Sequence, residues 1–312
     1  MGLKRIWVYR GSRDDLASGL RLVPAEMISA LAPKYSELLG RFFGPLNTAA
    51  RGAHQQIISS VYDPQYGAQV IRARESFLAA SESILFKPLQ EQGGNGADLE
   101  ALAVGGECGA FGAELERPMQ EVAFWKYAGV HHDLGKALVP KEILGEGKFS
   151  NPGQYEQMKL HPLYGAAIVN LAIQVAEQVG GPILVHPLLH FLRAAALLHH
   201  QRKNGNGYLD IELEDGQRRP LRDDQIPSFV YVLALSDAYV ALRSRRSYKP
   251  PVTHEQAFEI LRSGDRNSPD FFLTRSQPGT SLYGSKVWNI FEGKQDLFRE
   301  IADNALSEAQ KN

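Results

Sequence analysis

One cysteine, Cys108, stands in 312 residues. A disulfide framework needs at least two, so no internal cross-link holds this chain, and a reducing compartment is expected. Charge of one sign is also lacking. The 34 basic residues are met by 35 acidic ones, for a net charge of -1, which gives no general attraction to nucleic acid or anionic lipid. Extensive DNA contact is therefore not expected. No uninterrupted apolar run approaches the ~20 residues that a membrane span requires. The start, MGLKRIWVYRGSRDD, returns to charge too soon for a signal peptide. Internal repeats are missing and strand-like alternation is scarce. These absences leave a soluble, cytoplasmic globular protein, with enough chain to bury a full core.

What the sequence does have is helix after helix. Apolar residues recur at helical spacing over 24–43 and 67–86, and again over 118–130, 162–179, 187–198 and 227–244. Each of the last four stretches starts at a proline, which suits a first turn, where a missing N–H costs nothing. Thr253 with Gln256 three residues later forms a capping box for the helix that follows. The glycine-heavy segment 91–112 reads as a flexible crossing between two helical groups. A short hairpin is expected within 207–220, around Asp215-Gly216. After Ser263 the chain turns polar, with interspersed aromatics, and reads as an irregular extension closed by a helix near 294–307. The fold class is all-α.

Residues able to bind metal occur at helix ends or inside apolar surroundings. His131-His132-Asp133 closes one helix, and Lys136, just beyond, is placed to meet a phosphate oxygen. His161 opens another helix at Pro162. His199-His200 follows an apolar helix and precedes the loop QRKNGNGYL, and Asp237 sits inside FVYVLALSDAYVAL. Imidazoles and carboxylates suit borderline divalent metals, and an ionised carboxylate in such a run costs several kcal/mol, roughly, unless paired or metal-bound. Arg243, Arg245, Arg246 and Lys249 could hold phosphates above such a site. Each feature also has an ordinary explanation: a buried ion pair for Asp237, helix capping for His161, structural histidines at 199–200, a solvated face for the basic cluster. His186 and His190 are read as core or supporting residues, and His254 as a surface residue.

The ordered set His-Asp, His, His-His, Asp resembles the HD superfamily of metal-dependent phosphohydrolases, and more narrowly its HD-GYP branch, whose members hydrolyse cyclic di-GMP. The segments that carry the likeness are HHDLGKALVPKEIL (131–144), MKLHPLYGAAIV (158–169), HHQRKNGNGYL (199–209), IPSFVYVLALSDAYVAL (226–242) and RSYKPPVTHEQAFEIL (246–261). The resemblance implies an HD-domain helical bundle over 46–264, flanked by an N-terminal segment (1–45) and a C-terminal extension (265–312). It also implies that His132, Asp133, His161, His199, His200 and Asp237 hold one or two divalent ions such as iron or manganese. Asp133 and Lys136 would serve catalysis. Lys136, Arg246, Lys249 and the loop residues Gly207 and Tyr208 would contact a nucleotide or cyclic dinucleotide.

The chain departs from the family pattern at Gln201, Asn204 and Leu209, which stand for glutamate, aspartate and proline, and at Val240, which stands for a second aspartate. The family's first ligand, a histidine some thirty residues before the HD pair, is missing; the helix expected to carry it is 66–80, with His54 as a distant substitute. These departures keep other readings open: an HD phosphohydrolase for another phosphoester, a degenerate HD-GYP fold that binds a nucleotide or protein without turnover, and a DNA-processing role. Regulatory input is expected from a protein partner or the terminal segments.

Overall fold

The computed structural model describes residues 7–9, 20–22, 33–93, 97–145, 152–203, 205–212, 218–222, 225–245, 250–263 and 284–307. It is a bundle of helices. The first, α1 (Pro33–Ser59), runs through Pro45, beyond the stop at 43 that the sequence suggests. Phe42, Leu46, Ala50, Ala53 and Ile57 form its buried face, a spacing of three and four residues that keeps one stripe inward. α2 (Tyr66–Ser81) packs on it and continues through a wide turn into α3 (Lys87–Gln90).

The segment expected to be a flexible crossing is instead α4 (Ala97–Glu114), laid along α5 (Met119–His131). Its glycines serve packing. A Cβ on Gly129 would stand 2.8 Å from the Gly105 Cα, and one on Gly105 would stand 2.9 Å from the Lys126 carbonyl oxygen. Side chains reduced to hydrogen let the two backbones touch, which composition alone presents as a loop signal.

Beyond the turn Leu134–Leu138 come two short helices, α6 (Lys141–Gly145) and α7 (Pro152–Met158). The centre of the bundle is α8 (His161–Gly180), packed against α1, α9 (Pro187–Leu198) and the 134–138 turn. α10 (Ser228–Arg243) is buried along most of its length and lies on α4. α11 (His254–Ser263) follows, and its capping box forms as expected: Thr253 N donates to Gln256 Oε1 (3.0 Å) and Gln256 N to Thr253 Oγ1 (3.2 Å). His254 is not on the surface: it is 6% exposed and its Nδ1 meets the Tyr239 hydroxyl at 2.8 Å.

α12 (Ser285–Gly293) and α13 (Gln295–Ser307), the closing helix expected near 294–307, share this core through Phe291 and Phe298. The rest of the expected irregular extension, 264–283, lies outside the described residues. Strands are brief: β1 (Trp7–Tyr9), β2 (Leu20–Leu22), β3 (Ile211–Glu212) and β4 (Arg218–Arg219) form one small sheet in the order β2-β1-β3-β4. β3 and β4 are the expected hairpin, antiparallel with Ile211 opposite Arg219.

Candidate metal centre

Five pieces of chain meet at one point: the C-terminal end of α5, the turn after it, the first residue of α8, the end of α9 and the middle of α10. A close approach makes this possible. A Cβ on Gly135 would fall 1.9 Å from the His161 carbonyl oxygen, so only glycine lets the turn after Asp133 lie against the start of α8.

Three histidines are held in the same way. The Nδ1 of His132 lies 2.8 Å from the Gly129 carbonyl, that of His161 2.8 Å from the Met158 carbonyl, and that of His199 2.8 Å from the Ala196 carbonyl. A carbonyl oxygen can only accept, so each Nδ1 carries a hydrogen, and Nε2 is the ring nitrogen left to face the pocket. Those nitrogens converge. His161 Nε2 and His199 Nε2 are 3.0 Å apart. His161 Nε2 is 3.1 Å from Asp133 Oδ1, and His132 Nε2 is 3.3 Å from Asp133 Oδ2 and 3.5 Å from Asp237 Oδ1. His132 Nε2 and Asp133 Oδ1 are buried without a hydrogen-bond partner. Ligand atoms of His161, His199 and His200, and of His132, Asp133 and His199, lie within 4.8 Å of one another. Asp133 stands between, with one oxygen toward each group.

The electrostatics fit a cation. Burial holds the His199 imidazole down at about 4 and that of His200 well below its usual range, so both stay neutral and able to ligate. Burial also opposes charge on His132, yet Asp133 and Asp237 outweigh it and raise that ring to about 10; the pocket favours positive charge there. Burial would raise both aspartates, but Lys136 and His132 beside Asp133, and His132 beside Asp237, hold both carboxyls well below the usual range. Two ionised carboxylates and four imidazoles at these distances are a donor set that fits a divalent ion.

All six candidate ligands from the sequence are thus brought together. Lys136 pairs with Asp133 at the pocket. Gly207 lies against Gln201, and Tyr208 stacks on His200 with ring centres 4.0 Å apart. Arg243 is elsewhere: it donates to the Tyr239 hydroxyl (2.8 Å) and to Asp303 on α13 (2.5 Å), tying helices together rather than facing phosphate. Arg246 and Lys249 lie outside the described residues, as does Asn204. His131 turns away, its Nδ1 on Gln90 Oε1 at 2.9 Å. His186 caps α9 by accepting from Leu188 N.

The helix that packs along α5, which ends in the HD pair, is α4, whereas 66–81, where the missing family histidine was expected, packs on α1. His54 packs near Gly180, at the far end of α8 from His161, a helix of 20 residues and so about 30 Å long. Sequence reading did not anticipate the part played by Gln201, which is 1% exposed. It donates to Leu209 O (3.0 Å) and accepts from Leu221 N (2.7 Å), tying the loop to the hairpin base; no local pattern carries that pairing.

The HD-domain family profile matches residues 75–270. This chain belongs to the HD-domain family. The HD pair that names it is His132-Asp133, at the centre of the cluster. Among curated proteins the chain is similar to a probable cyclic di-GMP phosphodiesterase of Vibrio cholerae, 33% identical over 133 residues, which is 43% of this chain and 27% of that protein. It is also similar to a cyclic di-GMP phosphodiesterase of Thermotoga maritima, 31% identical over 163 residues, 51% of this chain and 39% of that protein. A 3'3'-cGAMP-specific phosphodiesterase of Vibrio cholerae is 31% identical over 136 residues, 44% of this chain and 22% of that protein. The matched region thus spans between about a fifth and two-fifths of these relatives. Among the described residues, no helix is long and apolar enough to cross a membrane.

Proposed function

We propose that this chain is a metal-dependent phosphodiesterase acting on a cyclic dinucleotide, with His132, Asp133, His161, His199, His200 and Asp237 as ligands. The observation that carries it is the convergence of pinned imidazole nitrogens on an ionised Asp133. Asp133 facing His161 and His199 with one oxygen and His132 with the other favours two ions, and the imidazole–carboxylate set suits iron or manganese. The names of the relatives support the substrate class. Bound metal supplies acidification of water and neutralisation of phosphoryl charge.

The chain's own groups do the rest. Asp133 orients the pocket while paired to Lys136, whose ammonium offsets charge growing on a phosphoryl oxygen. Tyr208 and Gly207 shape the loop side, with Gln201 holding it closed. Arg246 and Lys249, following α10, are assigned to the second phosphate on the strength of the family resemblance. The test is elemental analysis after anaerobic reconstitution with iron or manganese, on the wild type and Asp133→Ala, alongside hydrolysis of cyclic di-GMP. One or two ions per chain, with metal and turnover both falling by more than about 100-fold in the variant, are expected. A wild type that takes up no stoichiometric metal would sink the catalytic reading; metal-loaded protein that binds the dinucleotide without turnover would make it a receptor.

A further inference from the structure

Two tyrosines at the rim of the pocket are arranged beyond what holding metal requires. Tyr208 lies on His200, ring centres 4.0 Å apart and planes 22° from parallel, so it braces that imidazole. Tyr155, on α7, meets Tyr208 edge-on, centres 6.0 Å apart and planes at 85°. The two hydroxyls are hydrogen-bonded, and Arg202 lies close enough to act on Tyr155 electrostatically. Arg202 is itself 5% exposed, with Nη2 3.5 Å from His200 Nδ1. The Lys159 ammonium stands 5.0 Å from the Tyr155 ring centre and is paired with Glu156 Oε1 at 2.6 Å. Both tyrosines are half-buried, so the core does not consume their rings. The result is an aromatic corner flanked by the Arg202 guanidinium and by Lys159 paired to Glu156, lying beside imidazoles that gather around a carboxylate. An aromatic base joined to a phosphate matches that combination: the Tyr155 ring takes the base by stacking, and the Arg202 guanidinium favours the anionic group beside it.

We propose that Tyr155, backed by Tyr208, is the surface on which the base of a nucleotide substrate rests, making Tyr155 a specificity-determining residue that selects nucleotides over base-free phosphoesters. The proposal rests on the nucleotide reading above and deepens it by naming the side of the pocket that takes the base.

The test is equilibrium dialysis of the metal-loaded full chain against a phosphorothioate analogue of cyclic di-GMP, for wild type, Tyr155→Ala and Tyr155→Phe, with metal content and Tm measured on each. The ring-less variant should bind about tenfold more weakly, and the phenylalanine variant should stay within about threefold of wild type. Metal content and Tm should hold in both. Equal affinity for wild type and Tyr155→Ala overturns the proposal. So does a Tyr155→Phe variant as weak as Tyr155→Ala, because the hydroxyl rather than the ring would then be responsible. Loss of metal or Tm in step with affinity also overturns it, since that marks a purely structural role. Metal-loaded wild type that binds no analogue brings down the nucleotide reading itself, and this inference with it.

Discussion

Glu107, on α4, is fully buried, and neither of its carboxylate oxygens has a hydrogen-bond partner. Burial holds its carboxyl well above the usual range, against the opposing pull of Ser236 and Arg243; buried Cys108 is its neighbour in the chain. A raised folded pKa means that the native protein keeps a proton that the unfolded chain releases. The stability this contributes is complete below the unfolded value of 4.5 and is lost as pH rises through the folded value. Glu107→Gln carries no such dependence. The stability difference between variant and wild type should therefore move toward the variant as pH rises from 4.5, by at most about 1.4 kcal/mol per pH unit. Urea unfolding across that range measures it, and parallel curves would disprove it. Nothing in the local sequence GGECGAF marks this carboxyl as buried; that follows from α10 lying across it. By contrast, His132, Asp133 and Asp237 were legible as candidates, because charge inside apolar helices demands a partner.

At the scale of elements, glycine contacts decide where the helices sit. Gly135→Ala places a methyl into the His161 carbonyl, so α8 must retreat and carry His161 from Asp133. Metal content measured after reconstitution should fall to a small fraction of wild type, and normal loading would show that the contact yields easily. Gly129→Ala forces apart α4 and α5 where Gly129 meets Gly105, 2.8 Å from the added carbon to the Gly105 Cα. Overpacking against backbone costs roughly 1–3 kcal/mol, readable as a lower urea midpoint with an unchanged slope. The periodic helices 162–179, 187–198 and 227–244 could be read from sequence because their apolar content is continuous. α4 could not, because glycines that pack helices and glycines that break them are the same residue.

For the whole molecule, the pocket gathers two carboxylates and four imidazoles from five segments, so an ion bound there ties those segments together. An ion that binds only the folded chain raises its stability by mass action. Manganese or iron at about 100 times its Kd should add about 2.7 kcal/mol and raise Tm, EDTA should reverse this, and Asp133→Ala should show neither. A variant whose Tm still rises with metal would place the ion elsewhere. α12 and α13 belong to the same unit through the aromatic group of Phe111, Phe291 and Phe298, so they unfold with the bundle.

The sequence by itself determined the helical class and the hairpin near 211–219, which follow from periodicity and turn chemistry, while the six candidate ligands were named by the resemblance of their ordered motifs to the HD family. Only the tertiary structure decided which ring nitrogens face the pocket, that Arg243 and His254 serve packing, that Gln201 ties down the loop and that Tyr155 reaches the rim. Those depend on which elements touch, and contact between distant segments leaves no mark in the spacing of neighbouring residues.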